Sequence, residues 1–223
     1  MGTIGIEWVN KYHGRASDLK NNSENARGFY NTLSGVRQFQ YGDDLAWDQD
    51  FEESGVGSPS TGSDTIYADN VDIVFFSGHG NSSGAVFGIA NKDDGYAKYT
   101  EIRLGNKRCK WITFDACKVL LDSNHTAWQQ AFKGLHGILG FHTTCSDAGS
   151  RGRRFAERLN QGYKVRNAWI KACEETEDSD TWWATYFAGQ NSWATVDDHW
   201  IGKGSVAANP SKPDRYTYSR GQC

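Results

Sequence analysis

Apolar residues along this chain fall in short runs, and the runs alternate with segments of helical spacing. Thr3-Ile-Gly-Ile-Glu-Trp-Val9 predicts an opening strand, and Glu24 to Leu33 a helix with Ala26, Phe29, Tyr30 and Leu33 on one side. Val71-Asp-Ile-Val-Phe-Phe-Ser-Gly-His-Gly80 and Lys110-Trp-Ile-Thr-Phe-Asp-Ala-Cys117 are rich in β-branched and aromatic residues, so both predict buried strands. A helix is expected across Thr126 to Leu135, then an apolar run in His136 to Thr144, then helices through Phe155–Leu159 and Val165–Cys173. The aromatic segment Trp182 to Ala188 suits a last strand. This βαβ alternation predicts an α/β fold, a mainly parallel sheet of about six strands with helices on both faces.

No linker separates two domains, so residues 1–223 are expected to form one. Within it, 1–65 carry a strand, a helix and an acidic loop, 66–188 the core, and 189–223 an aromatic-rich C-terminal extension. Trp193, Trp200, Tyr216 and Tyr218 in the extension are expected to cover the sheet edge, with an exposed tryptophan as a candidate wall for a peptide side chain. The stretch Gly42 to Asp64 reads as a long exposed loop, with Asp43, Asp44, Asp48, Asp50, Glu52 and Glu53 as a solvated edge.

Two strand ends carry the chemistry. His79 stands between Gly78 and Gly80, and Cys117 follows Ala116. A thiol ordinarily titrates above physiological pH and needs help to become a nucleophile, which a neighbouring imidazole supplies. If the strands are parallel neighbours, both residues leave the same edge of the sheet, where open α/β folds place their ligands. The N–H groups of Gly80 and Cys117 are then candidates for an oxyanion hole. Taken singly, a Gly-His-Gly is a common tight turn and a buried cysteine a common small core residue. Their order and joint placement at strand ends favour the chemical reading.

The pattern of apolar strand, Ser-Gly-His-Gly, apolar strand and Asp-Ala-Cys resembles the caspase-like cysteine peptidase clan of caspases, metacaspases, gingipains, clostripain, legumain and separase. The resemblance covers residues 66 to 176 and is nearest an uncharacterised microbial branch. It implies a caspase-like fold, Cys117 as nucleophile, His79 as general base, and Gly80 with Cys117 as oxyanion hole. Asp115 matches a position that in some members selects arginine or lysine before the scissile bond, and hydrogen bonding of Asp115 within the strand end is the alternative. Asp147 falls in the small-residue loop that follows and is a further candidate for substrate binding. The implied function is an endopeptidase cleaving after basic residues. A ligase or cyclase working through the same thioester, or a silent peptide-binding domain, are the alternatives. Arg151-Gly-Arg-Arg154 would then be an exposed self-cleavage site. Some clan members respond to calcium, so the acidic loop is a candidate calcium site and no other cofactor is implied.

Charge and cysteine usage narrow the partners. A formal net charge of -3 gives no reason to expect a nucleic-acid or anionic-membrane surface. The start of the sequence lacks a signal-like segment. Five scattered cysteines make a poor disulfide framework and no zinc-ligand spacing, so a reducing, cytoplasmic setting and no structural metal are expected. Asp197-Asp-His199 is a weaker candidate for a third catalytic group.

Overall fold

Along the strand Ile73–Ser77, successive side chains point to opposite faces of the sheet, and both sets are apolar. Ile73 and Phe75 enter one core, Val74 and Phe76 the other. The sheet must therefore be covered on both sides. The computed structural model describes residues 1–57, 61–90, 93–191 and 193–223. In chain order its elements are β1 (Thr3–Trp8), α1 (Asn22–Thr32), β2 (Val36–Gly42), β3 (Ile73–Ser77), β4 (Gly80–Asn81), β5 (Gly84–Val86) and β6 (Tyr96–Lys98). They continue with β7 (Trp111–Asp115), β8 (Gly137–Phe141), α2 (Arg151–Asn160), α3 (Val165–Glu174), β9 (Trp182–Gln190), β10 (Trp193–Ala194) and β11 (Arg215–Gln222).

The main sheet runs β10-β9-β8-β7-β3-β1-β2, with β11 paired to β9. Strands β2, β1, β3, β7 and β8 are mutually parallel, and β9 reverses direction beside β8. The fold is thus α/β on a mostly parallel sheet, with eight strands among the described residues where about six were expected. The short strands β4, β5 and β6 form a separate antiparallel sheet directly after His79.

Helices on both faces were expected, but α1, α2 and α3 share one face. They bury Phe29, Phe155 and Trp169 against Ile4, Phe75 and Leu139. The opposite face is covered by Phe51, Trp128 and Phe132 from 3₁₀ turns and the residue beside them, together with the small sheet. The segment expected to be helical from Thr126 to Leu135 forms only a 3₁₀ helix, His125–Ala131. Its continuation is captured elsewhere: the N–H groups of Lys133 and Leu135 both donate to the Leu104 carbonyl, at 3.0 and 3.2 Å. Gly134, at φ +140°, supplies a backbone that L side chains avoid.

Part of the C-terminal segment joins the main sheet. β11 pairs with β9 from Arg215↔Gly189 through Gln222↔Trp182. Trp200 is fully buried, 6.1 Å from the Trp111 ring, and its indole donates to the Ser34 carbonyl at 2.7 Å, so it forms no exposed subsite wall. The acidic stretch is a solvated edge only in part, with Asp44 exposed and Asp43 and Glu53 half-buried. Asp48, Asp50, Glu52 and Asp64 are buried, while residues 58–60 of the same stretch lie outside the described residues. Among the described residues no helix is long and apolar enough to cross a membrane.

Candidate active site at the carboxyl edge of the sheet

The register of two neighbouring strands brings the candidate pair together. β3 and β7 run parallel with Ser77 opposite Asp115, and Gly78 N–H extends the ladder to the Asp115 carbonyl at 3.2 Å. Two residues beyond each strand end stand His79 and Cys117, and both line one cavity of about 60 Å³. β8 is the next parallel neighbour, so the residues after it, Cys145, Ser146 and Asp147, enter the same cavity.

The imidazole is held from two sides. Its Nε2 lies 2.8 Å from the Ser17 carbonyl, which can only accept, so Nε2 carries the proton and Nδ1 is left as the basic nitrogen. Beneath the ring lies Tyr12, with centroids 4.7 Å apart, and the His79 backbone N–H donates to the Tyr12 hydroxyl at 2.6 Å. No hydrogen bond joins imidazole and thiol among the described residues. They face a shared void.

The thiol has its own donors. Cys145 N–H donates to Cys117 Sγ at 3.3 Å, and the two sulfurs lie 3.6 Å apart. The Cys145 thiol is the largest cause of a Cys117 pKa pulled down to about 6, with its N–H and the charge of His79 adding to it against burial. Cys145 is pushed well above the ordinary thiol range by the same hydrogen bond. A low Cys117 is therefore a shared property of two sulfurs. The next residue, Lys118, adopts φ +60° and donates to the Thr143 carbonyl at 2.9 Å, so Cys117 sits on a sharp turn.

Gly80 lies against that turn. A Cβ there would stand 2.8 Å from Ala116 Cβ and 2.9 Å from the Cys117 carbonyl oxygen, so only glycine permits the approach, and small Ala116 helps. Val86 N–H bonds the His79 carbonyl at 2.9 Å, which puts Gly80, opposite Ala85, at the alternate position whose N–H points away from β5. The Cys117 N–H has no acceptor among the described residues.

Asp115 does not offer a free carboxylate. Its side chain is buried, with one oxygen on Arg151 and the other accepting from Asn25 Nδ2 at 2.6 Å. Arg151, fully buried, is saturated in turn: it pairs with Glu177, donates to Thr176 Oγ1 at 3.0 Å and Ser146 Oγ at 3.3 Å, and stacks 4.8 Å over Phe141. Burial pushes the Asp115 carboxyl up, against the lowering by Arg151. The expected basic-residue pocket is thus filled by the protein's own guanidinium. Of the three arginines in the expected exposed segment only Arg151 is buried, opening α2 inside the core, while Arg153 and Arg154 stay at the surface of that helix and pair with Glu157. Asp147 lines the cavity, but its carboxylate accepts from the backbone N–H groups of Lys20 and Asn21 at 2.7 and 3.1 Å, anchoring the entry to α1. Asp198 binds buried His136 at 2.5 Å, and neither Asp198 nor His199 lines the cavity.

Sequence reasoning missed Arg151, Glu177, Cys145, Tyr12 and the Ser17 carbonyl. One arginine among three at a helix start and a cysteine in a polar loop carry no local mark of burial or of a partner.

A second cluster lies in the acidic stretch. Asp48, Glu52 and Asp93 each present one oxygen, all within 4.8 Å of one another. Asp43, Asp44 and Glu53 are spent on Asn10 and Lys11 N–H groups, on His13 and on Asn106. Asp50 is hydrogen-bonded by Ser63 beside Glu7. Burial drives Asp48 up to about 6, and burial plus Asp48 drives Glu52 up to about 9. Asp48 Oδ1 and Glu52 Oε1 are buried with no hydrogen-bond partner among the described residues. A hard cation with oxygen ligands fits this donor set.

Fold and site together define an α/β protein with a mostly parallel sheet and a thiol–imidazole cavity at its carboxyl edge. The chain belongs to the family described as Domain of unknown function (DUF6345), which it matches over residues 6–222. It is also similar to an uncharacterized protein of Archaeoglobus fulgidus, 31% identical over 111 residues, 44% of this chain and 41% of that protein. The match spans less than half of that relative. Neither description names an activity or a peptidase clan.

Proposed function

We propose that this chain is a caspase-like cysteine endopeptidase working through Cys117 and His79. The observation that carries the reading is a single cavity lined by both side chains, with the thiol lowered to about 6 by donors built around it. A substrate carbonyl carbon bonds to Cys117 Sγ while its oxygen takes negative charge beside the N–H groups of Cys117 and Gly80. Collapse breaks the C–N bond, and His79, having gained a proton at Nδ1, delivers it to the leaving amine. Water then attacks the thioester, giving its proton to His79, and the free acid and thiolate are restored.

The substrate preference follows from Arg151. With Asp115 neutralised, the side chain before the scissile bond meets Leu19, Asn22 and Ala148, so a small or neutral residue is preferred over arginine or lysine. A divalent cation such as calcium, held by Asp48, Glu52 and Asp93, would neutralise their mutual repulsion. It would also fasten the turn at Asp48 to the loop before β6, where Asp48 Oδ2 already accepts from Gly95 and Tyr96 at 2.5 and 3.1 Å.

The test is a positional-scanning peptide library run on wild type, Cys117→Ala and His79→Ala. Cleavage after small neutral residues, abolished in both variants, is expected. Transfer to an added amine in place of hydrolysis would mark a ligase. Dominant cleavage after arginine would overturn the neutral pocket, and binding of peptides with no turnover would leave a silent peptide-binding domain.

A further inference from the structure

The mechanism above uses Cys145 only through its donors, yet its sulfur has a second capacity. Cys117 Sγ and Cys145 Sγ are 3.6 Å apart, and both residues line the cavity. A disulfide bond is about 2.05 Å long, so the approach needed is about 1.5 Å. Cys145 sits in the loop after β8, bounded by Ser146, whose N–H and hydroxyl are both bound by Glu177, so movement of its side chain leaves the fold's framework in place. The remaining thiols differ: Cys109 and Cys173 are fully buried, and Cys223 lies beside Cys173, away from the cavity.

We propose that Cys117 and Cys145 form an oxidation site, in which a hydroperoxide converts the pair to a disulfide that takes the nucleophile out of the cavity and a low-molecular-weight thiol returns it. Cys117 thiolate attacks the outer oxygen of the hydroperoxide. The S–O bond forms as the O–O bond breaks, and the alkoxide or hydroxide leaves with a proton as alcohol or water. Cys145 then gives its proton to the departing hydroxyl and its sulfur attacks the sulfenic sulfur, so that the S–S bond forms, the S–O bond breaks and water leaves. Two electrons pass from the sulfur pair to the peroxide. The largest cause of the high Cys145 pKa, its hydrogen bond to the Cys117 sulfur, weakens once that sulfur is a neutral sulfenic acid, which eases proton loss from Cys145 as it attacks. Reduction is thiol–disulfide exchange, with two equivalents of the small thiol becoming its own disulfide.

The consequence for activity rests on Cys117 being the nucleophile, whereas the sulfur connectivity does not. The experiment therefore reads connectivity first: the full chain is treated with hydrogen peroxide, alkylated under denaturing conditions and mapped by mass spectrometry without reductant. The expected result is a peptide pair joined through Cys117 and Cys145, lighter by about 2 Da and separated by dithiothreitol. In Cys145→Ser the expected product is Cys117 sulfinic acid. Reactivity of Cys117 toward iodoacetamide after dithiothreitol should then return to about nine-tenths in wild type and stay below about one-tenth in the variant. Cys117 sulfinic acid in wild type with Cys145 still alkylatable, a disulfide only between Cys173 and Cys223, or equal recovery in wild type and Cys145→Ser would each overturn the proposal. A failed peptidase assay alongside a mapped Cys117–Cys145 disulfide would count against the proposed function and not against this site.

Discussion

Replacing Arg151 by methionine tests the buried network beneath the cavity. The substitution keeps much of the apolar stem but removes the one guanidinium held between Asp115 and Glu177, both of whose side chains are almost fully buried. Breaking a buried ion pair by deleting one partner costs about 3–5 kcal/mol, because the other charge stays behind without compensation. Unfolding entropy near the midpoint is about 2.1 cal/mol/K per residue, or about 0.47 kcal/mol/K for this chain, so the expected fall in Tm is about 6–11 °C. The sign with pH follows from the stranded carboxyls. Burial already raises the folded Asp115 pKa and losing Arg151 raises it further above the unfolded value, so the deficit is full at neutral pH and shrinks as pH falls through that raised pKa toward the unfolded value of about 4. Differential scanning calorimetry at pH 7.5 and 4.5 is the assay, with Asp115→Asn added to Arg151→Met expected to recover part of the loss. A Tm within about 2 °C of wild type at pH 7.5, or an equal fall at both pH values, would refute the electrostatic account and leave a packing effect.

Other expectations concern the thiol, the oxyanion hole and the acidic cluster. Alkylation of Cys117 by iodoacetamide should rise with pH through a midpoint near 6 as thiolate replaces thiol, and Cys145→Ala should move that midpoint up toward the ordinary thiol range. Gly80→Ala forces a methyl to 2.8 Å from Ala116 Cβ and Val119 Cγ2. Peptide turnover should fall by about 10²-fold or more from the displaced N–H, with a stability loss of about 1–3 kcal/mol; unchanged kinetics would place the oxyanion elsewhere. Calcium at a hundred times its Kd should stabilise wild type by about 2.7 kcal/mol in thermal unfolding and leave Glu52→Gln nearly unmoved. An equal shift in both would deny that cluster the ion.

The parts of this fold written in local pattern were legible and those decided by long-range partners were not. Val71 to Gly80 and Lys110 to Cys117 announce strands because both of their faces are apolar. Their parallel pairing then sets His79 beside the cavity of Cys117. β2 and β11 escape notice because they are half-exposed, polar in composition and defined by the neighbour they pair with. The 3₁₀ helix at His125–Ala131 has the apolar spacing of an α-helix and is cut short by Leu104, a tertiary partner that no window contains. Arg151 is the clearest case. In sequence it reads as one of three exposed basic residues, and in space it is the buried counter-ion of Asp115, so that carboxylate is already paired within the protein. The acidic stretch misled similarly, since clustered carboxylates suggest solvent until burial of Asp48 and Glu52 is seen.

Covalent capture by a peptidyl acyloxymethyl ketone, carrying a small neutral residue next to the electrophile, bears most directly on the dyad. The warhead needs a thiolate, an oxyanion hole and a correctly placed imidazole together, so intact-mass spectrometry at pH 7 reads all of them in one adduct. Stoichiometric labelling of Cys117 in wild type, at least about a hundredfold slower in His79→Ala, is the expected result. Labelling that proceeds equally fast without His79, or that lands on another cysteine, would contradict the account.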